Sequence, residues 1–131
     1  MQEYQGPPAD EFERFARHAL ESMPKQFREE LTNVVLRIEE FASREQLDAV
    51  GIASRWQLSG LYEGRPVPDR TIWESGEMPP VISLFRQPLL AEMHETGVAL
   101  QELVHHVVIH EAGHHFGFSD EDMHALEEES D

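Results

Sequence analysis

The sequence predicts an α+β fold, in which a small mixed sheet within one compact domain supports a long helix. Three observations lead there. A chain of 131 residues suits one domain. Apolar residues recur at the helical period near both ends of the chain, and a period of two appears between them. With 40% apolar and 27% charged residues, the composition excludes a disordered or fibrous chain. The domain is expected over residues 10–128, after a flexible leader at 1–9 and before an acidic tail at 129–131.

Asp10 and Glu13 have the spacing of a capping box, so a helix should begin there. Phe12, Phe15, Ala16, Ala19, Leu20 and Met23 make one apolar stripe until Pro24 interrupts it. Between Asn33 and Glu40, Val34, Leu36 and Ile38 alternate with Val35, Arg37 and Glu39, as in a strand with one buried face. Ser43 to Val50 reads as a short helix. Trp56 to Pro80 holds Gly60, Gly64, Pro66, Pro68, Gly76 and Pro79-Pro80, which predicts turns and short strands. Val81 to Arg86, rich in β-formers, predicts a second long strand, placed either in the core or at a sheet edge able to pair with an extended peptide. From Thr96 as N-cap, apolar residues at Leu100, Leu103, Val104, Val107 and Val108 predict a long helix that Gly117 ends. Ser119 and Asp122 then offer caps for a last short helix.

The net charge of −16 is unevenly spread: residues 1–86 carry 15 acids and all 10 bases, residues 87–131 carry 11 acids and no Lys or Arg. Such a surface repels phosphate backbones and anionic lipid, so neither nucleic acid nor membrane is an expected partner. Cysteine is absent, so any metal must be held by His and carboxylate. The N-terminus has no basic-apolar run of the secretory kind, and no 18 apolar residues follow one another; a cytoplasmic location and a monomer are the expectations.

The chemistry concentrates in His110-Glu111-Ala112-Gly113-His114. Four residues apart on a helix, His110 and His114 project from one face and can reach a single ion. Glu111 beside them is placed to act on a water at that ion. A glycine bend at Gly117 lets Asp120 supply a third ligand, with His124 and Asp122 as reserve candidates, and a fourth position remains for water. The H-E-x-x-H string alone would arise in roughly 7% of random orderings of this composition; with Gly117 and an acid or His at 120 this falls to about one in a thousand. The longer pattern therefore carries the argument. Seven of the eight histidines lie at or beyond position 94, and most are not expected to be ligands. His105 and His106 are expected at the surface, with support of a metal ligand as the lesser reading. His115 points about 100° from His114, which suits packing or a substrate contact.

The segment His110-Glu111-Ala112-Gly113-His114-His115-Phe116-Gly117-Phe118-Ser119-Asp120 resembles the signature of the bacterial minimal zincin-like metallopeptidase family. Gly60-Leu61-Tyr62-Glu63-Gly64 with Arg70, the strand from Ile82 to Arg86, and the pattern Phe15, Ala19, Pro24, Phe27, Asn33 are similar too, so the resemblance covers about residues 11–124. It implies a compact α+β zincin domain with zinc (Zn2+) on His110, His114 and Asp120 and with Glu111 as catalytic base. The implied reaction is hydrolysis of a peptide or protein substrate by a zinc-activated water. Tyr62 is a candidate oxyanion donor beside its plainer reading as a structural tyrosine in a turn. The competing reading is a metal-stabilised module that docks a basic partner on its acidic surface and turns over little or nothing. A site of two histidines and one carboxylate also accommodates iron. Glu111 favours hydrolysis, because a structural site needs no carboxylate beside an open position.

Overall fold

The apolar stripe near the start of the chain forms helix α1 (Ala9–Glu21), with Phe12, Ala16 and Ala19 fully buried. The computed structural model describes residues 3–64 and 79–117. The helix begins earlier than expected. Pro8 occupies the N-cap without a side-chain bond, so Asp10 is no cap and lies with Glu11 in the first turn, where carboxylates favour the positive helix end. Glu13 pairs instead with Arg17 one turn on, at 3.2 Å.

After the short helix α2 (Lys25–Glu30) comes strand β1 (Val35–Glu39), whose residues alternate in burial as the period of two predicts. Helix α3 (Arg44–Ala49) opens on a capping box: the Ser43 hydroxyl accepts from the Gln46 N–H at 3.1 Å, and Gln46 Oε1 accepts from the Ser43 N–H at 2.9 Å. Ser43→Ala is expected to cost about 1 kcal/mol, read as a lower thermal midpoint. A 3-10 turn (Arg55–Gln57) leads to β2 (Gly60–Glu63), then β3 (Val81–Phe85), α4 (Arg86–Thr96) and α5 (Leu100–His115).

The three strands form one mixed sheet in the order β1-β3-β2, with β3 parallel to β1 and antiparallel to β2. β3 is therefore central. It does not provide the peptide-pairing edge that the sequence leaves open, because both its sides carry ladder partners and Ile82, Ser83, Leu84 and Phe85 are all buried. Ile82 and Leu84 join Phe12, Ala16, Val104, Val108 and Ile109 in the main core, between the sheet and the packed pair α1 and α5. Phe85, on the other face, closes a smaller cluster with Ala42, Leu47 and Leu58. The fold is thus α+β, as the sequence predicts.

The long helix expected from Thr96 starts later, as α5, and a separate helix, α4, comes before it. Thr96 ends α4, and Gly97 at φ 75° turns the chain before Ala99 caps α5. The Thr96 hydroxyl serves this joint by donating to the Glu92 carbonyl (2.8 Å) and accepting from the Val98 N–H (3.1 Å). Part of the segment expected as a flexible leader makes defined contacts with α4. Gln87, 1% exposed, takes the Tyr4 N–H on Oε1 (2.6 Å) and gives Nε2 to the Tyr4 carbonyl (3.3 Å). Arg86 donates to the carbonyls of Pro7 and Gly6 and pairs with Glu40. Among the described residues no helix is long and apolar enough to cross a membrane.

Candidate active site

Helix α5 separates its duties by face. Val104, Val108, Ala112 and His115 fall on the buried side, while His106, His110 and His114 line up four residues apart on the opposite side. His110 is half-buried and His114 exposed; their rings meet edge to face with centroids 5.1 Å apart. One ligand atom from each of His110, Glu111 and His114 lies within 4.8 Å of the other two. Gly117, at φ 72°, ends the helix as predicted, its N–H donating to the His114 carbonyl at 3.0 Å. Asp120, the reserve candidates Asp122 and His124, the cap Ser119 with its short helix, Arg70 and the acidic tail lie outside the described residues.

Strand β2 fixes the carboxylate. The Tyr62 N–H donates to Glu111 Oε1 at 2.8 Å. This is possible because β2 turns alternate backbone groups to β3: the Ser59 carbonyl accepts from the Phe85 N–H (2.9 Å), so Tyr62 presents its N–H on the other side. Burial raises the proton affinity of Glu111, while the neighbouring His114 and His110 and the Tyr62 N–H pull it back down. The Tyr62 hydroxyl lies 2.9 Å from Nδ1 of His115. That contact supports the structural reading of Tyr62 over an oxyanion donor. His115 is 1% exposed, so of its two expected roles the structure supports packing.

A cleft of about 340 Å³ opens on this side of α5, lined by Ser59, Gly60, Glu92, His106, Val107, His110 and Glu111 among others. Gly60 lets β2 lie close against α5, since a Cβ there would collide with Val107 Cγ1 and crowd the Ser83 carbonyl. Gly60→Ala is expected to cost about 1–3 kcal/mol by overpacking and to lift Tyr62 away from Glu111. A lower denaturation midpoint together with reduced turnover is the expected result. His106 is exposed, as expected from the sequence, and stacks along His110 at 6.4 Å where it lines the cleft. Glu92 and Ser59 carry no sequence signal, because no motif links either to a histidine pair downstream.

Two imidazoles and a carboxylate, converging without any thiolate, suit a divalent cation of borderline softness. A helix bearing His-Glu-x-x-His, with its glutamate tied to an adjacent strand beside a cleft, is an arrangement that could hold such an ion. The zincin-like metallopeptidase family model matches residues 31–130, and the chain belongs to that family. No curated protein matches the chain.

Proposed function

We propose that the protein is a zinc-dependent peptidase in which His110, His114 and Asp120 hold the metal and Glu111 is the general base. The observation that carries this reading is the Glu111 carboxylate, oriented by the Tyr62 N–H, grouped with His110 and His114 and lining the cleft together with His110. When bound, zinc supplies Lewis acidity and lowers the pKa of a water it holds.

Glu111 does the proton work. With Oε1 fixed by β2, its carboxylate takes a proton from the attacking water and returns it to the leaving amine. Burial helps by raising its proton affinity from the ordinary carboxylate range.

The test is zinc content together with turnover of a peptide library by the wild type and by Glu111→Gln. Cleavage by the wild type alone, with one zinc in each, supports the peptidase. One zinc in each and cleavage by neither supports the metal-stabilised binding module instead.

A further inference from the structure

The catalytic cleft does not end at Glu92. A second chamber of about 710 Å³ adjoins it, and Ser59 and Glu92 line both. We propose that this chamber is a specificity subsite for a Lys or Arg side chain of the peptide, an inference that rests on the peptidase reading above.

Its walls carry the chemistry that recognises an organic cation. Tyr4 and Trp56 form an aromatic corner, with ring centroids 5.7 Å apart and planes at 72°, while Glu92 and Glu95 supply carboxylates on the α4 side. Among the described residues lining the chamber, none is Lys or Arg. A cation among these rings and carboxylates gains from both, whereas a neutral aliphatic side chain of the same length gains only apolar contact. The charge of the whole chain, −16, draws basic peptides towards such a site.

The aromatic wall is held in place. Tyr4 belongs to the N-terminal segment, yet both its backbone groups bond to the side chain of Gln87, which is 1% exposed, and Arg86 binds the carbonyls of Gly6 and Pro7 beyond it. Trp56 is backed by Phe41, whose ring packs edge to face at 4.8 Å. Two segments far apart in sequence are thereby fixed around one space, which shares Ser59 and Glu92 with the catalytic cleft.

Two measurements on the full chain test this. In the first, zinc-loaded wild type is offered a positional peptide library in which Lys, Arg and norleucine alternate at each site. At one position the basic peptides are expected to show kcat/KM about tenfold above norleucine, and Glu92→Gln/Glu95→Gln should bring that ratio close to one. In the second, acetylated tetrapeptides with one Lys, or norleucine in its place, are titrated into the Glu111→Gln protein with and without zinc. The Trp56 indole N–H resonance, assigned with Trp56→Phe, should move for the Lys peptide and stay for norleucine. Cleavage that ignores basic residues, unchanged by the double substitution, overturns the subsite and leaves the peptidase standing. Lys-dependent binding at Trp56 without cleavage of any peptide keeps the subsite and removes the peptidase. Equal shifts with both peptides, or none with either, overturn the subsite.

Discussion

Glu111→Gln is expected to lower kcat/KM for any cleaved peptide by about 10²–10⁴-fold, the range for removing a positioned general base, while zinc content stays unchanged. The substitution isolates the proton step. An amide oxygen can still accept the Tyr62 N–H that now reaches Glu111 Oε1 at 2.8 Å, so β2 and α5 keep their relation. What is lost is a group able to take a proton. In the wild type, activity should fall as pH drops through the Glu111 pKa, which burial pushes upward and the two imidazoles and the Tyr62 N–H pull back; the variant's residual activity should lose that limb. Misfolding can be separated from this effect by the sign of the linkage. A carboxyl whose pKa is raised on folding supports the fold while protonated and costs stability as pH rises through the folded-state value. In the metal-free protein near neutral pH the variant is therefore expected to melt no lower than the wild type. A much lower melting point would assign the lost activity to unfolding.

What the sequence makes legible follows from how one-sided each element is. Strand β1 has one exposed face, so Leu36 and Ile38 stand out against Arg37 and Glu39, and its period of two is plain in the residues themselves. Helix α5 presents its core stripe and its histidine row on opposite faces, and Gly117 marks its end. Helix α4 is different. Gln87, Pro88, Leu89, Leu90 and Ala91 are all buried, so solvent imposes no 3.6-residue alternation and nothing separates the segment from the turns before it. Pro88 adds to the difficulty, although a proline in the first turn costs a helix little. With α4 hidden, Thr96 reads as the start of α5, when it is the end of its predecessor. The central place of β3 is equally hidden, because a run such as Val81-Ile-Ser-Leu-Phe85 shows burial and not which strands lie beside it. In the site, the histidine pair is legible because its spacing is local. The Tyr62–Glu111 bond joins residues 49 apart and the Tyr4–Gln87 bond joins residues 83 apart, and no local pattern specifies either.

Zinc should raise the thermal midpoint on the order of 10 °C at a free concentration one hundred times its Kd, since such binding stabilises the folded state by about 2.7 kcal/mol. Chelation should reverse the shift. The prediction discriminates because α5 carries five histidines between His105 and His115, and a loosely binding histidine-rich surface would also take up metal. His114→Ala separates the two cases. His114 is exposed, so its removal costs the metal-free fold little, and the variant should melt with the chelated wild type. Adding zinc should then change its midpoint hardly at all, because one of the two imidazoles facing the ion is gone. His106→Ala is the matching control. It lies one turn further along the same row, with its ring 6.4 Å from that of His110, and is no member of the group formed by His110, Glu111 and His114. It should keep nearly the full zinc shift. A shift that survives His114→Ala, or that falls equally in both variants, would mean that the metal is shared along the helix surface. Glu111 would then have no fixed water to act upon, whatever the cleft beside it binds.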